Sequence, residues 1–152
     1  MLILVSPHIS RMDGFVVSHY LARTRKCEAV FAVDPDYALS PFSSRMLNLY
    51  GNRHNHTMVP LDSSKPLALR TLLKGLRDGT DVVLFPQGTG IADKERQWKS
   101  GAYWLAKKSD CDVLTLYLDH SGIIPVVSVD RWTRNSYWLS LHSMLARANA
   151  PK

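Results

Sequence analysis

The sequence of 152 residues has few cysteines and no long apolar run, and each shortage excludes a class of protein. Cys27 and Cys111 are too few for the disulfide framework of a small secreted domain, so we expect a reducing compartment. No apolar stretch approaches the roughly 20 residues that span a bilayer, and no secretory signal precedes the first apolar segment. Aromatic residues form 9% of the chain and do not alternate with basic runs, which argues against a groove for single-stranded nucleic acid.

The chain is rich in apolar residues and in positive charge. An apolar fraction of 45% and a charged fraction of 21% are typical of a soluble globular protein, and the length suits one domain with a sizeable core. The formal net charge of +6 favours an anionic partner. Membrane lipid, nucleic acid and a phosphorylated carrier all remain open on charge alone.

Strand-like and helix-like segments alternate along the chain. Apolar or β-branched runs predict strands at residues 2–5, 29–33, 57–61, 81–85 and 113–118. Caps and helical spacing predict helices at about 11–23, 40–51, 64–79 and 98–109, while residues 137–145 fit either a strand or a helix. The alternation favours an α/β fold with a central, mostly parallel sheet and flanking helices. In such folds, ligands bind beyond the carboxyl ends of the strands.

A histidine and an aspartate follow the first predicted strand. Because five helical steps separate His8 from Asp13, the two side chains can meet only if His8 lies in the loop and Asp13 in the first helical turn. Ser10 is then the predicted N-cap. A carboxylate in contact with the ring would fix its tautomer and make it a general base. In the alternative, Asp13 only caps the helix and His8 is an ordinary loop residue; for the pair alone this alternative is favoured, since the spacing is common by chance.

Three segments together resemble the sequence blocks of the glycerolipid acyltransferases of the 1-acylglycerol-3-phosphate type. Residues 8–13 are similar to the family's first block, a histidine, four residues and an aspartate. Residues 85–89 are similar to its phenylalanine-proline-glutamate-glycine-threonine block, and residues 58–68 to its middle block. The start of the predicted helix at 98–102 also matches. The resemblance extends over about residues 2–145 and is greatest for the acyltransferase domain of bacterial 2-acylglycerophosphoethanolamine acyltransferases.

The resemblance implies a glycerol-3-phosphate acyltransferase-like fold and an O-acyltransferase. The fatty acyl group would move from acyl-CoA or acyl carrier protein to a hydroxyl of a lysophospholipid or a related glycerolipid. His8 would be the general base, oriented by Asp13, with no metal, cofactor or covalent enzyme intermediate. The loop backbone near Gly88 would supply hydrogen-bond donors to the oxyanion. His54 and His56 lack a third ligand and are interpreted as exposed loop histidines.

The resemblance also implies where the protein acts. Residues 1–152 are interpreted as a single acyltransferase-like domain that lacks the N-terminal membrane-associated helices of many relatives. We expect a cytoplasmic protein, peripheral on the anionic inner face of the cytoplasmic membrane, with lipid metabolism as its role. Nucleic acid is not an expected partner.

The chain departs from the family blocks at the acceptor site. Gln87 replaces a glutamate, Gly90 replaces the phosphate-binding arginine, and Thr115 corresponds to a later proline of the family. The predicted substrate-binding residues are those of the second block and the basic residues after it: Gln87, Gly88, Thr89, Lys94, Arg96 and Lys99. The basic residues are interpreted either as replacements for the lost cation or as simply solvated.

Two hypotheses of function follow. The first is an acyltransferase with an altered acceptor site, which includes one for a non-phosphorylated acceptor. The second is a catalytically degenerate member that binds acyl chains or acyl carriers without turnover. The presence of both His8 and Asp13 favours the enzyme, whereas Gln87 and Gly90 favour degeneracy or an uncharged acceptor.

Overall fold

The computed structural model describes residues 1–62, 66–88 and 97–134, which form a six-stranded sheet with helices on both faces. The strands are β1 (Leu2–Ser6), β2 (Ala29–Val33), β3 (His56–Pro60), β4 (Asp81–Leu84), β5 (Val113–Asp119) and β6 (Val126–Thr133). The helices are α1 (Asp13–Thr24), α2 (Pro35–Leu39), α3 (Pro41–His54), α4 (Pro66–Arg77) and α5 (Ser100–Ser109). All neighbouring strands pair in parallel except β5 and β6, which are antiparallel. The predicted fold class is confirmed.

The strand order β3-β2-β4-β1-β5-β6 places β1 between β4 and β5. Residues 2–5 of β1 are completely buried and all apolar, as expected of a central parallel strand that is covered on both faces. Leu4 pairs with Leu84 of β4, and Ser6 pairs with Tyr117 of β5. The loops that leave β4, β1 and β5 therefore lie side by side at one edge of the sheet.

Each face of the sheet carries its own apolar core. On one face, Val17 and Leu21 of α1 pack against strand residues that include Phe31 and Leu116. On the other face, α4 and α5 supply Leu72 and Leu105, together with other apolar side chains. Burial of side chains of this size contributes about 1.5–3 kcal/mol each. The two cores fix α1, and thus the loop before it, against the sheet.

The helix α3 shows how tertiary contact changes a predicted boundary. Gly51 was expected to end this helix, but α3 continues to His54 and ends where Asn55 adopts a left-handed φ of +56°. A Cβ on Gly51 would overlap the backbone carbonyl of His56. Gly51 is therefore a point of close approach between α3 and the chain that returns into β3. The helix α2 and the strand β6 are additions that the sequence patterns did not predict.

Within residues 1–62, 66–88 and 97–134, no helix combines the length and apolarity needed to cross a membrane. The predicted tail element at residues 137–145 lies outside the described residues.

Candidate active site

The predicted histidine and aspartate meet at the carboxyl end of β1. His8 lies in the loop after β1, and Asp13 is the first residue of α1. His8 Nδ1 lies 2.9 Å from Asp13 Oδ2, which is hydrogen-bond distance. Because a carboxylate oxygen accepts, the ring proton is on Nδ1, and in the neutral ring the lone pair is on Nε2. The contact has the geometry that the sequence spacing requires.

The Asp13 carboxylate is enclosed and fully hydrogen-bonded. Its side chain is completely buried, and Oδ2 also accepts the backbone N–H groups of Ile9 and Ser10, each at 2.9 Å. Oδ1 lies 2.8 Å from His120 Nε2. Burial raises the pKa of Asp13, but hydrogen bonds from His8, His120 and the two backbone groups outweigh that effect and hold the pKa below its ordinary value. The carboxylate is therefore ionised at neutral pH.

Ser10 supports the loop in a different way from the predicted N-cap. Met12 occupies the N-cap position of α1, and its N–H donates to Ser10 Oγ at 3.1 Å. The prediction for Ser10 is wrong because the chain first makes a turn, in which the N–H of Asp13 donates to Ser10 O, and only then enters the helix. The carboxylate of Asp13 consequently folds back over the loop and reaches His8.

The His8 ring is anchored at Nδ1 and is partly exposed. Its side chain is 20% exposed, and its centroid lies 4.2 Å from the ring centroid of Phe85. No residue within the described ranges hydrogen-bonds to Nε2, the nitrogen on the side away from Asp13. An imidazole that a carboxylate holds at one nitrogen, in a side chain that is partly exposed, has an arrangement compatible with a general base.

Gln87 connects the two predicted blocks. It follows β4 and is buried, and its Oε1 accepts the backbone N–H of His8 at 2.6 Å. The contact joins residues 79 positions apart because β4 and β1 are neighbours in the sheet. This role needs only a carbonyl oxygen, so a glutamine can fill it without the charge of a glutamate.

Gly88 and Lys99 lie against each other at the same edge. Gly88 has a φ of +79°, a conformation that favours glycine. A Cβ there would come within 2.7 Å of Lys99 Nζ, so the lysine side chain crosses directly over the glycine backbone. The N–H of Lys99 donates to Pro86 O at 2.8 Å, which fixes the start of α5 beside this turn. A positive charge therefore lies next to the loop that holds Gln87.

The backbone N–H of Gly88 is already in use. It donates to Phe85 O at 3.0 Å and closes the turn after β4. A donor engaged within a turn does not point at a substrate, so this N–H does not fill the predicted role at the oxyanion. The rest of the loop, residues 89–96, lies outside the described residues.

His120 belongs to the site although the sequence patterns did not single it out. It follows β5 directly, and its Nδ1 lies 3.1 Å from Leu118 O, in addition to the contact of Nε2 with Asp13. A histidine at the end of a predicted strand was a usable signal, as it was for His8. Only the adjacency of β5 and β1, which spacing does not reveal, brings the two histidines to one carboxylate.

The structure brings part of the predicted residue set together. Five of these residues lie at the edge formed by β4, β1 and the start of α5: His8, Asp13, Gln87, Gly88 and Lys99. The other three predicted residues, Thr89, Lys94 and Arg96, lie outside the described residues. Gly90 lies outside them too.

His56 is not the exposed loop histidine that was predicted. It is the first residue of β3, only 4% exposed, and its Nδ1 lies 2.6 Å from the buried Ser18 Oγ. The prediction is wrong because β3 begins one residue early, and its pairing with β2 buries the ring beside Phe31. Within the described part of the chain, no three His, Cys, Asp or Glu side chains are grouped to hold a metal ion.

Comparison with protein-family models agrees with this geometry. Residues 1–127 match the family described as Acyltransferase, a segment that contains β1 to β5 and all three residues of the His8–Asp13–His120 cluster. The match covers most of the chain and supports the resemblance to the glycerolipid acyltransferases. Members of this family in general use an acyl donor and a lipid acceptor in lipid biosynthesis. The chain therefore belongs to the acyltransferase family, and the protein is an acyltransferase enzyme.

Proposed function

We propose that this acyltransferase moves a fatty acyl group from a thioester, acyl-CoA or acyl carrier protein, to a hydroxyl of a lysophospholipid or a related glycerolipid. The observation that carries the proposal is the partly exposed His8 ring, which Asp13 holds at Nδ1 and whose Nε2 makes no hydrogen bond to a described residue. The resemblance to the bacterial enzymes favours 2-acylglycerophosphoethanolamine as the first acceptor to test.

In this proposal His8 is the general base. Its Nε2 takes the proton of the acceptor hydroxyl while the hydroxyl oxygen attacks the thioester carbonyl. The ionised Asp13 stabilises the imidazolium that forms. The tetrahedral intermediate then expels the thiolate, which takes the proton from Nε2, so that the products are an ester and a free thiol. The enzyme returns to its starting state without a covalent intermediate.

The proposed substrate-binding segment is the turn after β4 with the basic residues that follow: Gln87, Gly88, Thr89, Lys94, Arg96 and Lys99. Lys99 has the most direct support, because its ammonium lies over the Gly88 backbone at the same edge as His8. An ammonium binds phosphate as a point charge, without the paired hydrogen bonds of an arginine. Lys99 is thus the proposed replacement for the family arginine that is Gly90 in this chain.

An acceptor without phosphate is the second candidate. Gly90 favours it, since glycine offers no side chain to hold an anionic group. The two candidates differ in what Lys99 does. If the acceptor carries phosphate, Lys99 binds it; if the acceptor is uncharged, Lys99 is an ordinary solvated lysine.

We also propose that the enzyme is cytoplasmic and binds reversibly to the anionic inner face of a bacterial cytoplasmic membrane. The support is the net charge of +6. Co-sedimentation with vesicles tests it. Binding should be stronger to anionic than to neutral vesicles, and it should weaken with salt because the Debye length is about 10 Å at 0.1 M. Equal binding to both kinds of vesicle would contradict recruitment by charge.

The substrate proposal is tested with purified protein and a panel of acyl-CoA and acyl carrier protein thioesters, each offered lysophospholipids or an uncharged alcohol as acceptor. Lys99→Gln should reduce kcat/KM for a phosphate-bearing acceptor about tenfold, because a charge-assisted contact is lost. Lys74→Gln, an exposed lysine late in α4, is the matched control and should have no effect. An equal loss with the uncharged alcohol would contradict a role of Lys99 in phosphate binding. Binding of thioesters without turnover by any acceptor would instead favour the degenerate family member.

A further inference from the structure

We propose that His120 is a positioning residue that serves as the counter-ion of buried Asp13, and that its charge leaves His8 neutral and able to accept a proton. The inference rests on the proposed role of His8 as the base. It assigns different tasks to the two histidines that share one carboxylate. His8 exchanges the proton with the substrate, whereas His120 holds its protons and balances the charge.

The hydrogen bonds of His120 determine its protonation. Nε2 lies 2.8 Å from Asp13 Oδ1, and Nδ1 lies 3.1 Å from Leu118 O. A carboxylate oxygen and a backbone carbonyl oxygen both accept, so each contact needs a proton on the ring nitrogen. A neutral imidazole has one N–H and can satisfy only one of these acceptors. The doubly protonated imidazolium satisfies both.

A cation beside Asp13 would offset the cost of burying its charge. Its carboxylate is completely buried, and a buried charge is costly unless a charge of the opposite sign is paired with it. If His8 were the permanent partner, its Nε2 would be protonated and could not accept a proton from a hydroxyl. His120 removes this conflict because it contacts the other carboxylate oxygen. His8 then needs only one proton, at Nδ1, to keep its own contact.

The acidic residue next to His120 has a hydrogen-bond partner of its own. Asp119, the neighbouring acidic residue, accepts the backbone N–H of Ser121 at 2.9 Å. Among the described residues, the titratable groups hydrogen-bonded to His120 are Asp13 of α1 and, through that carboxylate, His8 of the loop after β1. The side chain of His120 is 15% exposed, less than that of His8. The charge of His120 therefore acts mainly on this one cluster.

Nitrogen NMR of histidine rings tests the charge state without any assay of activity. In the wild-type protein at neutral pH, we expect the ring of His120 to carry protons on both nitrogens and that of His8 on Nδ1 alone. The His120 signals are assigned by their loss in His120→Gln, and the exposed His19→Gln on α1 is the matched control. A His120 ring with a single N–H at neutral pH, in wild-type protein assigned with a folded variant, would overturn the proposal.

The dependence of activity on pH tests whether the charge of His120 keeps His8 neutral. A glutamine at 120 can still donate a hydrogen bond to Asp13 but carries no charge, so the imidazolium form of His8 becomes more favourable. In His120→Gln, the acid limb of the kcat/KM profile should therefore move to higher pH, by about one unit. His120→Lys, which restores a cation, should move it back, and His19→Gln should not move it. A uniform loss of rate at every pH would mean a purely structural role.

The two experiments separate the failure of this inference from the failure of the proposed function. If wild-type protein transfers no acyl group but the ring of His120 is doubly protonated, the counter-ion assignment stands and the proposed substrates are wrong. If activity is present and His120 is neutral, the proposed function stands and the counter-ion assignment is wrong.

Discussion

His8 and His56 each contact a buried polar partner at hydrogen-bond distance, yet the surroundings of only His8 suit the proposed role of base. His8 contacts Asp13 at 2.9 Å, and His56 contacts Ser18 at 2.6 Å. By distance alone, the serine–histidine pair resembles a nucleophile and its base. The difference between the pairs lies in access and in charge, not in the length of the hydrogen bond.

The surroundings of the two rings differ on both counts. The His8 side chain is 20% exposed at the carboxyl edge of the sheet, and its partner is an anion that stabilises an imidazolium. His56 is 4% exposed beside Phe31, and its partner is a neutral hydroxyl that is itself buried. Burial, aided by the nearby His54, lowers the pKa of His56 below its ordinary value. A ring that resists protonation in a closed site is part of the core.

Removal of the His8 ring should have the largest effect. His8→Ala loses the proposed base, and kcat/KM should fall by about 10²- to 10⁴-fold. Ser18→Ala, at the buried pair, should lose stability and retain turnover. Steady-state kinetics with circular dichroism on both variants makes the measurement. Near-wild-type turnover by folded His8→Ala, or abolished turnover in folded Ser18→Ala, would reverse the comparison.

Replacement of Asp13 should affect both stability and activity. Asp13→Asn removes the anion that faces His8 and His120, and loss of one partner from a buried ionic cluster costs about 3 kcal/mol in the free energy of unfolding. The rate should also fall, because the imidazolium of His8 loses its stabilising charge. Urea unfolding at pH 7 measures the first effect.

The pH dependence of stability in Asp13→Asn checks whether the lost charge of the carboxylate causes the destabilisation. The folded-state pKa of Asp13 lies below the ordinary 3.8, so its ionisation stabilises the fold above that pH, and the contribution is lost as the pH falls through the folded pKa. Wild type should therefore lose more stability than Asp13→Asn on acidification below about pH 4. Parallel curves for the two proteins would contradict a stabilising carboxylate.

The comparison also shows which contacts of the site could be predicted from the sequence. The pattern of a strand followed by a helix start allowed a contact of His8 with Asp13, and the family resemblance implied it; both residues lie within one loop and one helical turn. The hydrogen bond from His8 N–H to Gln87 joins two of the family blocks, and it forms because β4 and β1 are neighbours in the sheet. His120 and His56 were missed or misplaced because their surroundings depend on strand order and on one residue of register. Local spacing predicts local contacts, whereas burial requires the whole sheet.

Burial of His56 should make stability depend on pH near neutrality. Its folded-state pKa lies below the ordinary 6.5, so the unfolded chain takes up a proton that the folded protein refuses. The contribution of neutral His56 to the free energy of unfolding should be fully present above pH 6.5. It should fall as the pH drops toward the folded-state pKa, with a slope of at most about 1.4 kcal/mol per pH unit. His56→Gln should flatten this slope and His19→Gln should keep it. An unchanged slope in His56→Gln would assign the effect to another group.

The smallest expected effect concerns a buried hydroxyl without a partner. Thr115 lies in β5 opposite Leu4, and its Oγ1 is buried with no hydrogen-bond partner among the described residues. His8 and His56 each have a hydrogen-bonded ring nitrogen, whereas the Thr115 hydroxyl has no such bond and measures the cost of an unsatisfied buried polar group. Thr115→Val keeps the shape and removes the unsatisfied oxygen, which should stabilise the fold by about 1 kcal/mol and raise Tm by roughly 2–4 °C. In the control Thr24→Val, the lost hydroxyl donates to Tyr20 O at 2.8 Å, so stability should fall slightly. Differential scanning calorimetry of the two variants decides the matter, since a lower Tm for Thr115→Val would mean that its hydroxyl is hydrogen-bonded in solution.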